Sequence, residues 1–352
     1  MKRANLIILL GSIIFVGLLA YLANYFLTKS PTVSSDNTPE IRIGFSLGDL
    51  REERWQKDRD FFVAAAKKLG AYVQVTSANS DATLQNTQVE NMISQKFDVI
   101  VISPYDSEKI AGVVILAHKS NIKVISYDRL IKNAKVDFYV SFDNIKVGNF
   151  EAQGIVDVKN SGNFAYIGGA PTDNNSTLLK KGSMDILDPL IKDGSVKLVV
   201  DKFMIDWKPE EAYITIKNYL AGGGKLDAII AANDGTAYGA INALKEFQLD
   251  GKVPVSGQDA ELSACQRIIQ GTQTMTVYKP ITALANKAAS IAVEMATGKT
   301  PIANNETNDG QSEIPSFFIE PILVTKSNID ETIIKDGFHT KSEVYQNTSI
   351  IK

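Results

Sequence analysis

Two α/β lobes, each built on a doubly wound parallel sheet, are what this sequence of 352 residues predicts, and three observations predict them. From Ile41 onward, short β-branched runs alternate with amphipathic stretches, as strands do with crossover helices in a parallel sheet. The alternation runs through one series and begins a second near Asn163. The chain that remains after an apolar N-terminus is long enough for two lobes of ordinary domain size.

The first series opens on the strand IRIGFSL, followed by the helical RWQKDRDFFVAAAKKLG, the strand AYVQVTS, a helix around TLQNTQVENMISQK and the strand VIVISP. The strands IKVISYD and FYVSFD continue the sheet, and helical text resumes at Ile145 with IKVGNFEAQGIVDV. The second series runs from NFAYIGG through a helix around STLLKKGSMDILDPLIKDG, the strand KLVVDKFMI, the helix PEEAYITIKNYLAGG and the strand DAIIAAN. Helix GTAYGAINALKEFQ then leads to VPVSGQD. After TMTVYK come the helix PITALANKAASIAVEMATG, a polar Asn-rich stretch NNETNDGQSEIP and the strand-like SFFIEPILV, which would return the chain to each lobe in turn. Two successive βα series need a hinge between them.

From Ala4 to Leu27 the chain carries no charge, and about 20 apolar residues in a helix cross the hydrocarbon core. Lys2 and Arg3 precede the stretch and Lys29 follows, which favours a cytoplasmic N-terminus and an exported body. A cleaved secretory signal is the alternative, but its apolar region is shorter, and cuts after Leu18-Leu19-Ala20 or Tyr21-Leu22-Ala23 would leave a large residue three before the cut. An uncleaved single-pass anchor in the cell membrane is therefore expected, with the body on the extracytoplasmic side. Thr28 to Glu40, rich in Ser, Thr and Pro, reads as a solvated linker.

Composition excludes several functions. The formal net charge is -3, from 37 basic and 40 acidic residues, with no concentrated basic face to neutralise nucleic-acid phosphates. The single cysteine, Cys265, cannot close an intramolecular disulfide. His118 and His339 stand far apart without a partner at ligand spacing, so no metal site is expected. No P-loop, nucleophile elbow or GxGxxG fingerprint occurs, and an apolar span occupies the place where a lobed repressor would carry its helix-turn-helix. Neither an enzyme nor a cofactor is expected.

Unusual polar residues gather where βα strands end. Asp128 closes ISYD, Asn233 closes AAN, Asp259 closes SGQD and Lys279 closes TVYK, and open α/β sheets bind ligands beyond those ends. Such residues can equally cap helices. Arg54 and Trp55 lie just after the first strand, Asp173 and Asn175 follow the first strand of the second series, and Trp207 follows the next. Together they suit a polyhydroxylated ligand between two lobes, since each hydroxyl both donates and accepts and an indole offers a flat partner to the C–H face of a pyranose. Asp128 and Asp259 are the only plausible catalytic dyad, and neither spacing nor context singles them out.

At these residues the sequence resembles the D-xylose-binding members of the ribose/galactose-type periplasmic sugar-binding family, from Ile41 to about Val344. Its most specific stretches are LREERWQKDRDFF, SYDRLI, FYVSFDN, SGQDAEL, GTQTMTVYKPIT and IIKDGFH. The resemblance implies a type I periplasmic-binding-protein fold, with D-xylose bound by Arg54, Asp128, Asn175, Trp207, Asn233, Asp259 and Lys279, joined by Trp55, Arg129 and Asp173. It also implies a three-segment hinge, placed near Phe142 to Asn144, Lys279 to Pro280 and Asn308 to Pro315. The organisation expected is a transmembrane anchor over 1–28, a linker over 29–40, a first lobe from 41–142 and 280–308, and a second from 143–279 and 309–345.

Transport receptors of this kind usually carry a cleaved signal or a lipidated cysteine, and this chain departs from both patterns. The expectation drawn from that departure is a xylose sensor acting on a membrane histidine kinase of a two-component system. The alternative is the solute-binding subunit of a xylose ABC transporter, with its permease as partner.

Overall fold

The computed structural model describes residues 40–346 and, before them, Tyr21, Asn24 and Tyr25. The expected anchor and linker fall almost wholly outside the described residues, and among the described residues no helix is long and apolar enough to cross a membrane. The chain divides into residues 1–39 and 40–352, and the strands all belong to the second.

The first series comprises β1 (Ile41–Leu47), α1 (Glu53–Lys68), β2 (Ala71–Ser77), α2 (Ala82–Ser94), β3 (Val99–Ser103), α3 (Ala111–Lys119), β4 (Lys123–Tyr127) and β5 (Phe138–Phe142). The second comprises α4 (Asn144–Val156), β6 (Gly162–Gly168), α5 (Asn174–Lys192), β7 (Val196–Phe203), α6 (Pro209–Ala221), β8 (Ala228–Ala231), α7 (Asp234–Glu246), α8 (Leu262–Gln270) and β9 (Met275–Tyr278). The chain ends in α9 (Ile281–Ala296), β10 (Asn305–Asn308), β11 (Glu313–Ile319), β12 (Ile322–Thr325) and α10 (Lys341–Val344). Of these, α3, α8, β10 and α10 were not expected from the sequence.

One sheet has the order β10-β11-β5-β4-β3-β1-β2, parallel except for β10. The other runs β7-β6-β8 in parallel and continues through bridges at Val255 and Gln258 to β9, which pairs antiparallel with β12. The first sheet packs on α1, which begins with Glu53 and ends with Lys67 and Lys68, charges that match the helix macrodipole. Its inward face puts Phe62 against Phe45, with ring centroids 4.4 Å apart, and Tyr127 closes the group at 5.2 Å from Phe45. Leu284, Ala285, Ala288 and Ile291 of α9 complete this core, where each fully buried large side chain contributes about 1.5–3 kcal/mol.

In the second lobe α4 and α5 run closer than side chains allow. A Cβ on Gly148 would lie 2.0 Å from Leu179 O, and one on Gly182 would lie 2.0 Å from Ile145 O. Only glycine permits that approach.

The chain passes between the sheets after β5, again between β9 and α9 at Lys279 and Pro280, and a third time between β11 and β12. The first two passages match the expected hinge segments. The third does not: β10 and β11 both belong to the first sheet, so 309–319 stays there and the passage falls at Glu320 and Pro321. The cause is Asp309, wholly buried in the turn between β10 and β11. Its Oδ2 accepts the backbone N–H groups of Ala134 and Lys135 at 3.1 and 2.7 Å, and its Oδ1 those of Gln311 and Ser312, both at 2.8 Å. A stretch that reads as a polar connector is thus a hairpin pinned to the first sheet.

Candidate ligand-binding site

At the carboxyl ends of the strands of both sheets lies a cavity with about 250 Å3 of space between atoms, lined by Glu52, Arg54, Trp55, Asp128, Arg129, Asp173, Asn175, Trp207, Asn233, Gln258, Asp259 and Lys279. All ten residues expected at the ligand, Asp173 included, are brought together here. Glu52 and Gln258 were missed. Wider depressions elsewhere, such as the one of about 1390 Å3 beside Phe97 and Met295, gather no comparable set of charges.

Arg54 projects from the first turn of α1 and is 3% exposed. Its Nε donates to Asp58 Oδ2 at 3.1 Å, its Nη2 to Asp128 Oδ2 at 2.8 Å, and its Nη1 lies 3.5 Å from Asp259 Oδ1 of the other lobe. Burial disfavours its charge, yet the carboxylates of Asp128, Asp58 and Asp259 prevail and raise its pKa well above the ordinary value. Asp58 is held beneath by the Tyr127 hydroxyl. Burial pushes the Asp58 carboxyl up to about 6, against the pull of Arg54.

Asp128 ends β4 in a left-handed conformation, φ 61°, which turns its side chain off the strand. The carbonyl of Asp128 accepts from Tyr139 Oη at 2.8 Å, Ser141 Oγ at 2.6 Å and Asn175 Nδ2 at 3.2 Å. Burial works against ionisation of its carboxyl, but Arg54 and Lys279 outweigh it and lower the pKa. A carboxylate so held cannot act as a proton donor at neutral pH.

The second lobe supplies the facing wall. Asp259, also at positive φ (92°), receives Lys279 Nζ at 2.7 Å. Arg129 Nε meets Asp173 Oδ2 at 2.8 Å, joining the lobes by a pair whose side chains are both buried. Asn233 caps α7, its Oδ1 accepting from Thr236 N and Oγ1, both at 2.8 Å, so its amide NH2 is the group left for a ligand. Behind it, wholly buried Asp234 accepts from Gln273 Nε2, Thr276 Oγ1 and Glu261 N.

The tryptophans are placed differently. Trp207 follows Asp206 through two consecutive positive φ angles and presses on Gly169, where a Cβ would fall 2.1 Å from the ring. Its Nε1 and the Oε1 of Gln258 are buried without a protein partner, leaving one donor and one acceptor on the cavity lining. Trp55 is covered by guanidinium groups, with Arg54 Cζ 4.1 Å and Arg129 Cζ 5.0 Å from its ring, and its Nε1 donates to Glu52 Oε2 at 3.0 Å. Its ring therefore supports the two arginines, which limits the stacking role expected from the sequence.

Three cations, Arg54, Arg129 and Lys279, alternate with the carboxylates of Glu52, Asp128, Asp173 and Asp259. Such a wall, three cations against four acids, offers donors and acceptors in near balance rather than a strong field of one sign. That is the chemistry of a neutral polyol.

A model of the periplasmic binding protein domain matches residues 43–300. The chain belongs to that family. Its fold is the type I periplasmic binding protein fold, and the relatives it matches at half identity are named as sugar-binding proteins, not enzymes. It is 52% identical over 313 residues to the D-xylose-binding periplasmic protein of Haemophilus influenzae, covering 89% of this chain and 94% of that one. It is 50% identical to the protein of the same name from Escherichia coli, over 87% and 93% of the two chains. Among solved structures, an ABC transporter solute-binding protein from Clostridium phytofermentans with bound β-D-glucose superposes with a TM-score of 0.80 at 28% identity, covering 86% and 99%.

These findings correct the expected location. The two relatives are named as periplasmic proteins, and no described helix can span a membrane, so the single-pass placement inferred from Ala4–Leu27 is withdrawn. It had rested on the length of that stretch, its flanking charges and the large residue three before each candidate cut.

Proposed function

We propose that this chain is a periplasmic receptor for D-xylose that closes its two lobes over the sugar and delivers it to the permease of an ABC transporter. The observation that carries the proposal is the small cavity walled by both lobes, with carboxylates and cations alternating around it. The choice of xylose is supported by the two relatives at about half identity that bear its name. A permease is favoured as partner over a histidine kinase because the similar Clostridium phytofermentans structure is that of an ABC transporter solute-binding protein.

In the proposed complex the ring hydroxyls donate to Asp128 and Asp259 and accept from Arg54, Lys279 and the Asn233 amide. Each hydrogen bond to a charged group contributes about 1.5–3 kcal/mol. Trp207 offers its face to the C–H side of the ring, while Arg129 and Asn175 hold the lobes in register. Because ligand contacts come from both lobes, the sugar binds the closed form more tightly and shifts the population toward it.

Titration calorimetry with xylose, ribose, arabinose and glucose tests the reading. Tightest binding of xylose is expected, and failure to bind any pentose would overturn it. Deletion of the gene, with xylose uptake measured in an inducer-independent background, tests the partner: uptake should fall.

A further inference from the structure

Outside the cavity lies an open cleft of about 1170 Å3, and three residues line both: Glu52, Trp207 and Asn233. They form the wall between the two spaces. Trp207 cannot move inward, because its ring already lies against the Gly169 backbone. Asn233 is locked by its reciprocal cap with Thr236. Glu52 is different. It stands at the N-cap of α1 without capping the helix, is half-buried, and has its carboxylate held by one hydrogen bond from Trp55 Nε1. One side chain is therefore the removable part of the wall.

The cleft beyond it is furnished like the cavity. Tyr238 is 48% exposed there, with the Arg267 guanidinium 5.4 Å from its ring centroid, and Glu210 and Ser263 supply acceptors and a hydroxyl. An exposed aromatic face beside interleaved polar groups is what a second pyranose ring would meet.

We propose that Glu52 is a specificity-determining partition that limits the ligand to one sugar ring, and that the cleft behind it is a site for a second ring linked to the first. The inference rests on the sugar-binding function proposed above. Glu52 excludes the longer ligand by occupying the path of the glycosidic bond, so its size matters and its charge does not.

The test uses the full chain, calorimetry, D-xylose and a β-1,4-linked xylose disaccharide. The parent should bind xylose and discriminate against the disaccharide by about 100-fold or more. Glu52→Ala, with Glu52→Ser as a second truncation, should narrow that ratio at least about tenfold, because the second ring gains contacts in the cleft. Glu52→Gln, of equal size, should keep the parent ratio. Adding Tyr238→Ala to Glu52→Ala should reverse the gain about severalfold without altering xylose affinity. An unchanged ratio in both truncations, or an equal gain in Glu52→Gln, overturns the partition while leaving the xylose function intact. A parent that binds no xylose overturns the function and the partition together.

Discussion

Arg129 and Asp173 come from different lobes and meet at 2.8 Å between Nε and Oδ2, with side chains 7% and 1% exposed. Burial raises the pKa of Asp173, and Arg129 is the chief influence opposing that rise. A pair that forms only when lobes meet belongs to closure more than to folding. Asp173→Asn keeps an acceptor for the α5 cap to Asn175 N but leaves a buried guanidinium without its counter-charge, a loss of about 3–5 kcal/mol in comparable cases. Xylose affinity should therefore fall by at least about 100-fold. The ligand-free protein, whose lobes can part, should melt within about 3 °C of the parent. A large drop in melting temperature with affinity preserved would refute this division.

Asp259 holds Lys279 and approaches Arg54. Replacing it by alanine leaves buried Lys279 without its carboxylate partner and removes a hydroxyl acceptor, while Arg54 keeps Asp58 and Asp128, so Asp259→Ala should lose xylose binding by about 100-fold or more. Calorimetry decides this directly. Affinity equal to the parent would show that the site has been misassigned.

Gly169 touches no ligand in the proposed complex, yet it should control affinity. A methyl group there would overlap the Trp207 ring by more than an ångström, forcing the indole to shift. Gly169→Ala should weaken xylose binding by about tenfold or more and alter the tryptophan fluorescence, with overpacking costing about 1–3 kcal/mol. Parent-like affinity and emission would count against the role given to Trp207.

Stability should decline with pH above neutrality. Burial is the largest cause that raises the carboxyls of Glu52 and Asp234 to about 7 and that of Glu261 to about 8. Groups with raised native pKa bind protons more tightly when folded, so their stabilisation is present below the ordinary carboxylate range and is lost as pH rises through 7 to 8. His339, whose pKa is lowered by burial and then by Lys57, acts oppositely, but its contribution is lost only as pH falls below about 6.5. The melting temperature should therefore drop by a few degrees, roughly, between pH 6.5 and 8.5. Glu261→Gln should make the slope shallower, and a flat profile in the parent would contradict the assignment.

The site was legible because its residues sit at strand ends in a chain whose strands could be read. Asp128, Asn233, Asp259 and Lys279 each close an apolar run, and the sheet carries them to one place. Glu52 was not legible, since it stands beside Glu53 in an acidic turn. Only the fold tells them apart, aiming Glu52 at Trp55 and Glu53 at Leu262 N and Lys57. Gln258 was hidden inside the segment that ends in Asp259. The third hinge segment was misplaced because NNETNDGQSEIP carries no apolar signal. Its order comes from the hydrogen bonds of Asp309, a long-range arrangement that no local pattern announces.

Lys279 is the last residue before Pro280, which caps α9, and α9 packs along α1, whose second residue is Arg54. Of the two cations that share Asp259, Arg54 is thus mounted on one of two adjoining helices that both start at the cavity, and Lys279 is tied through Pro280 to the other. Their separation is set in large part by a helix interface buried in the first lobe. Adaptation to another sugar would leave this gauge fixed and alter the acidic and amide groups across from it, so chains descended from this one should diverge in diet on the second lobe first.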